Sequence, residues 1–157
     1  MQHPLVERLS SPVPRYTSYP TAPHFDESIG GEVYAGWLGR LTAANHLSLY
    51  AHIPYCDRLC WFCACHTKQT LRYEPVEAYL KGLQAEIASI GALVSREVPV
   101  TALHFGGGSP TLVRPDDMRA LKACLETNFS FAADAEISVE IDPNDLDDDR
   151  HDALADI

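Results

Sequence analysis

The chain has 157 residues, 46% hydrophobic and 22% charged, a composition that predicts one globular domain and excludes disordered and collagen-like classes. Its net charge of −10 is concentrated late, with ten acids and one base (Arg150) between residues 132 and 157, which argues against nucleic acid and anionic membrane as partners. The first ten residues are polar, with Glu7 and Arg8, and no apolar run approaches the roughly 20 residues of a bilayer span, so the expectations are no signal peptide, no membrane span and a cytoplasmic location.

The first segment, residues 1–45, is read as an extended arm followed by a helix. Pro4, Pro12, Pro14, Pro20 and Pro23 block helix formation early. Val33, Trp37, Leu38 and Leu41 then recur near helical spacing and predict a helix over 29–44. The second segment, 46–157, begins with Leu47–Ile53, a compact apolar strand stopped by Pro54. A cysteine-rich loop comes next. Val76, Leu80, Leu83, Ile87 and Ile90 predict a long amphipathic helix over 74–94. A strand over 98–105 runs into Gly106-Gly107-Gly108-Ser109-Pro110, and a helix over 116–128 carries Met118, Leu121 and Leu125 on one face. A strand over 137–141 closes at Asp142-Pro143, which reads as a turn or cap, and a further helix starts near Asp145, with Asp147-Asp148-Asp149 as its solvated face.

Strand and helix in alternation imply right-handed βαβ units and a parallel sheet. The fold class is therefore α/β, the N-terminal part of a parallel (βα) partial barrel containing its first three βα units. Three parallel strands leave an apolar edge, so the expectation is the front part of a larger barrel. The functional loops of such folds follow the carboxyl ends of the strands. The cysteine loop, the triple glycine and Glu140 should then share one rim.

Each of the three carries chemistry. Cys56-x3-Cys60-x2-Cys63, with Cys65 two residues on, places four of the five cysteines within ten positions, and in a reducing compartment such thiols are metal ligands or reactive groups rather than disulfides. Three thiolates can hold a [4Fe–4S] cluster with one iron open to a ligand. The alternative is a structural zinc on Cys56, Cys60, Cys63 and Cys65, although so short a span strains a tetrahedral site. Cys124 lies on a helix face turned to the core and reads as a small buried hydrophobe. The glycines allow close approach to the backbone, but Lys is missing and Pro110 interrupts the following helix, so this is no phosphate-binding P-loop. Glu140 is an acid near the end of an apolar strand. It either takes the hydroxyls of a ligand, a ribose for example, or faces solvent.

These residues carry a resemblance. The cysteine loop, with Phe62 just before the third cysteine, resembles that of the radical S-adenosylmethionine (SAM) enzymes. More narrowly, Pro14-Arg15-Tyr16-Thr17-Ser18-Tyr19-Pro20-Thr21, Ser48 to Pro54, the extra Cys65, Gly106 to Pro110 and Glu136 to Pro143 resemble the oxygen-independent coproporphyrinogen III oxidases, over the N-terminal third of such enzymes. The resemblance implies a [4Fe–4S] cluster on Cys56, Cys60 and Cys63, and SAM lined by Tyr50, Phe62, Gly107, Gly108 and Ser109 with its ribose on Glu140. Cys65 is a marker of the family, and Ser109 stands where the family usually has Thr. The implied activity is oxidative decarboxylation of coproporphyrinogen III to protoporphyrinogen IX in haem biosynthesis, with electrons from an unidentified donor. A related group of haem chaperones is the alternative; it generally lacks the arm and Cys65. The chain by itself is expected to be inactive, and turnover of coproporphyrinogen by the purified 157-residue protein would contradict that.

Overall fold

The computed structural model describes residues 21–157. Most of the proline-rich arm, including its tyrosines, lies outside the described residues. The chain divides into a first unit ending at Tyr34 and a second spanning 35–157. Of the first unit, a 3-10 turn at Ala22–His24 leads toward helix α1 (Gly31–Leu38). Helix α1 is shorter than the 29–44 expected. Its end is set by Gly39, whose N–H is the last to reach back four residues, to the Ala35 carbonyl, at 2.9 Å. Beyond it Asn45 Oδ1 accepts from the Thr42 N–H at 3.0 Å and so holds a turn. Of the four apolar positions that suggested the helix, Leu38 is buried while Val33 and Trp37 are exposed.

The second unit is built on a three-stranded parallel sheet of β1 (Leu47–Ile53), β4 (Pro99–Gly107) and β5 (Ser130–Val139), in the order β1-β4-β5. Two long helices connect them, α2 (Glu74–Gly91) and α3 (Pro115–Asn128), and α4 (Asp148–Ala155) follows β5. Helix α2 forms because Val76, Leu80 and Ile87 make one buried stripe. Pro75 suits its first turn, and Glu74 and Glu77 complement the N-terminal end of the dipole. Asp147 caps α4 by accepting from the Arg150 N–H at 2.9 Å. The first residue of the acidic run therefore has a structural task as well as a solvated face.

The last strand differs from expectation. It runs over Ser130–Val139 rather than 137–141, so Glu140 lies just past its end. In its pairing with β4, Phe131 is opposite Val100 while Glu136 is opposite Ala102. Residues 132–135 bulge out of register, and Ala132-Ala133-Asp134-Ala135 offers no alternating pattern by which to read a strand. A second pairing was also absent from the sequence reading: β2 (Tyr55–Cys56) and β3 (Lys68–Gln69) form a short parallel ladder that closes the two ends of the cysteine loop.

Ile53, Val76, Val100, Leu103, Phe105 and Leu121 are each at most 1% exposed and form the centre of the core. Cys124 packs at its margin, with its thiol directed to the Gln84 carbonyl at 3.8 Å. Phe105→Ala is expected to destabilise the protein by about 3–5 kcal/mol, since it removes a large ring and leaves a cavity; denaturant unfolding measures this. Among the described residues no helix is long and apolar enough to cross a membrane.

Candidate functional site

The two faces of the sheet have opposite characters. Ala51 and Ile53 of β1 and Leu103 and Phe105 of β4 point into the helix-covered core. The alternate positions carry Tyr50, His52, His104, Gly106 and Ser138. Their registers coincide: Tyr50 pairs with His104, His104 with Ser138, and His52 with Gly106. A parallel sheet covered by helices on both faces reads as continuous apolar strands. Here one face is polar toward the carboxyl end, and it leads to the rim where the three candidate elements meet.

The glycine segment docks on the start of the cysteine loop. Gly108 N–H donates to the Ile53 carbonyl and Ser109 N–H to the Tyr55 carbonyl, both at 2.8 Å. Gly108 has no room for a side chain: a Cβ there would stand 2.5 Å from the Tyr55 carbonyl oxygen and 2.9 Å from Cys56 Sγ. Gly107 has φ +117°, a conformation that favours glycine. These glycines admit the protein's own carbonyls and thiol. Close packing of one loop on the other is what requires them.

Cys56 is half-buried at this junction, whereas Cys60, Cys63 and Cys65 are exposed. Burial, and then the nearby Cys63 and Cys60 sulfurs, push the Cys56 thiol up. The Cys65 N–H holds the Cys63 thiol below its usual value, with a further contribution from Thr67. The Cys65 thiol is raised, chiefly by its hydrogen bond to Cys63 and its charge. Mutual repulsion of this kind is what a bound cation relieves. The Cys63 N–H reaches the Cys60 carbonyl at 3.1 Å, and Thr70 N–H reaches the Cys56 carbonyl at 2.9 Å, so the loop is folded back between fixed ends. Trp61 and Phe62 project into solvent.

Glu140 is not a buried acid: its side chain is 53% exposed. Its Oε2 nonetheless accepts from the Gly107 N–H at 3.0 Å, and its own N–H bonds the Phe105 carbonyl at 2.9 Å. Tyr50 is exposed, and its phenol is raised by partial burial and by the charge of Glu140. Its hydroxyl lies 2.9 Å from His52 Nδ1, while His52 Nε2 lies 3.0 Å from the His66 carbonyl. The carbonyl must accept, so His52 donates from Nε2 and accepts at Nδ1 the hydrogen bond that the tyrosine hydroxyl donates. His52 thereby ties Tyr50 to the far side of the cysteine loop.

Ser109 is buried, and its hydroxyl donates to Asp145 at 3.0 Å. Asp145 also meets Arg58 at 3.2 Å, and Arg58 grips Asp57 through two bonds of 2.8 and 3.0 Å. Ser109 thus belongs to a polar latch joining the glycine turn, the cysteine loop and the segment after β5. Asp142 instead makes a local turn, accepting from Asn144 N–H at 2.9 Å. The structure brings Tyr50, Cys56, Gly107, Gly108, Ser109 and Glu140 to one rim and leaves Phe62 pointing outward. The residues that sequence reasoning passed over are His52, His104, Arg58 and Asp145. The two histidines had a signal, polar residues two apart at the carboxyl ends of otherwise apolar strands.

The family model described as the radical SAM superfamily matches residues 50–157. Over 143 residues the chain is 49% identical to an oxygen-independent coproporphyrinogen III oxidase of Paracoccus denitrificans, covering 91% of this chain and 32% of that protein. A protein of the same name from Escherichia coli is 39% identical, with 90% and 31% covered. The solved structure of E. coli coproporphyrinogen III oxidase (HemN), a radical SAM enzyme, superposes with a TM-score of 0.83 at 40% identity, over 90% of this chain and 32% of that one. The chain spans about a third of the length of the curated relatives it matches.

Proposed function

The chain belongs to the radical SAM superfamily, and from that membership we propose that it forms the cluster- and SAM-binding part of an oxygen-independent coproporphyrinogen III oxidase. Membership implies a [4Fe–4S] cluster and SAM, and the residues present fit both. The single observation that carries the reading is the docking of the glycine turn on Cys56, with Glu140 held on the adjacent Gly107 N–H.

Cys56, Cys60 and Cys63 would hold the cluster. Their loop is pinned at both ends by the β2–β3 ladder and tied between them by Arg58 to Asp145 and by the His66 carbonyl to His52. Zinc demands four thiolates about 3.8 Å apart, given Zn–S bonds of about 2.3 Å. The short span of the cysteine loop strains such a site, whereas three thiolates with one open iron suit a [4Fe–4S] cluster. When bound, the cluster and SAM supply the one-electron chemistry that opens a propionate for oxidative decarboxylation. The protein's part is to bind and orient. Glu140 presents Oε1 as an acceptor for ribose hydroxyls, Tyr50 offers a ring beside it, and Gly107 and Gly108 let the turn pack down on the cysteine loop. Ser109 holds that turn against the cysteine loop, while Phe62, exposed on the loop, would have to turn inward to line the ligand.

Coproporphyrinogen III as substrate comes to this chain from the relatives' names, and an external electron donor and a cytoplasmic setting are proposed along with it. The experiment is a chimera in which this chain replaces the matching third of the E. coli oxidase. The chimera should consume coproporphyrinogen III anaerobically. A chimera that folds and holds iron yet never consumes it would overturn the assignment. A narrower check is Glu140→Gln in the reconstituted chain, which should weaken SAM binding by about ten- to a hundredfold, the equivalent of one charge-assisted hydrogen bond, as measured by anaerobic equilibrium dialysis.

A further inference from the structure

We propose that His104 is a positioning residue for the Glu140 carboxylate, held in its own orientation by Ser138. The inference rests on the reading of Glu140 as the ribose acceptor and adds to it the part that makes the acceptor rigid. Glu140 lies beyond the last strand with its side chain half-exposed, and a free glutamate there would sample several rotamers. A carboxylate that must meet two neighbouring hydroxyls loses affinity if it has to be ordered on binding.

The geometry supplies one hydrogen bond and one longer electrostatic contact. Oε2 is held by the Gly107 N–H at 3.0 Å. Oε1 faces His104 Nε2 at 3.5 Å. The opposite ring nitrogen, Nδ1, lies 2.7 Å from Ser138 Oγ. Only a proton on Nε2 is attractive to the carboxylate, so in the neutral ring Ser138 donates to Nδ1 and His104 presents Nε2–H to Glu140. The ring plane is fixed as well. It stacks on Tyr50 with centroids 5.7 Å apart and planes 11° from parallel.

The backbone makes space for this. A Cβ on Gly106 would stand 2.8 Å from Tyr50 Cε2 and 2.9 Å from His104 Nε2. Gly106 is therefore the position over which the tyrosine and histidine rings meet. Pairing of Tyr50 with His104 and of His104 with Ser138 places all three at one level of the sheet. A histidine kept only for packing would need neither the hydroxyl on one nitrogen nor the carboxylate on the other.

The test is a double-mutant cycle on the reconstituted 157-residue chain, with SAM as the probe in anaerobic equilibrium dialysis. His104→Phe keeps the stacking and loses both nitrogens. It should weaken SAM binding by about fivefold to tenfold with iron content unchanged. In the Glu140→Gln background the same change should cost less than about twofold, because the two residues act as one unit. His104→Gln, which can restore a donor near Nε2, should recover part of the loss. Ser138→Ala should cost less than His104→Phe. In the unloaded chain the 15N signals of the His104 ring should show a protonated Nε2 and a bare Nδ1, a preference that weakens in Glu140→Gln.

Full additivity of His104→Phe and Glu140→Gln would overturn the proposal. So would His104→Phe binding like wild type while Glu140→Gln weakens binding, which leaves the ribose reading intact. Loss of iron in His104→Phe also overturns it, moving the residue's role to the fold of the loop. An iron-loaded wild-type chain indifferent to Glu140→Gln removes the underlying reading, and the proposal with it.

Discussion

Cys60→Ala should leave the anaerobically reconstituted chain without its cluster, while Cys65→Ala should retain about four irons and four sulfides. The contrast follows from position. Cys60 sits on an exposed turn closed by the Cys63 N–H, and among the described residues no side chain bonds its sulfur. If it is removed, two thiolates remain from the ligand set, and Cys65 would have to move into the gap. Cys65 is engaged with Cys63, whose sulfur it hydrogen-bonds and whose charge it feels, so its recruitment would break the arrangement that favours the Cys63 thiolate. Iron and sulfide analysis with the absorption spectrum reads both variants. A zinc site gives the opposite pattern: one colourless ion per chain, weakened by Cys65→Ala as much as by Cys60→Ala. Equal sensitivity of the two variants would therefore overturn the three-cysteine assignment.

Much of this site was legible before any coordinates. Leu47–Ile53 and the long α2 and α3 helices are written in apolar spacing, because burial against one sheet face dictates it. The cysteine spacing is covalent and survives any fold. What could not be read depends on contacts between distant segments. The bulge at 132–135 exists only by reference to β4, so the last strand was placed late and Glu140 inside it. The ladder between Tyr55–Cys56 and Lys68–Gln69 joins residues that carry no strand pattern of their own. The glycines were readable as a feature but not as a cause. Sequence suggests room for a ligand, whereas the coordinates fill that room with the Tyr55 carbonyl and the Cys56 thiol.

That cause leads to the second large effect. Gly108→Ala should both destabilise the chain and impair cluster retention, although alanine adds a single methyl group. The added carbon would meet the Tyr55 carbonyl oxygen at 2.5 Å and carbon at 2.9 Å, and Cys56 Sγ at 2.9 Å. A backbone carbonyl cannot rotate away as a side chain tip can. The turn must therefore lift, stretching the 2.8 Å bonds from Gly108 to Ile53 and from Ser109 to Tyr55. Overpacking of this kind costs about 1–3 kcal/mol, and the lost bonds add to it. Cys56 is the half-buried anchor of the ligand set, so its displacement should lower the iron retained after desalting. Gly82→Ala is the matched control. It lies inside α2 with nothing within 4 Å of its added carbon, and there alanine should stabilise by up to about 1 kcal/mol and leave iron unchanged. Opposite signs in thermal unfolding, with iron loss confined to Gly108→Ala, are the expected result. If Gly108→Ala unfolded like wild type and kept its iron, the loops would not depend on their close packing, and Cys56 would owe its position to the β2–β3 ladder alone.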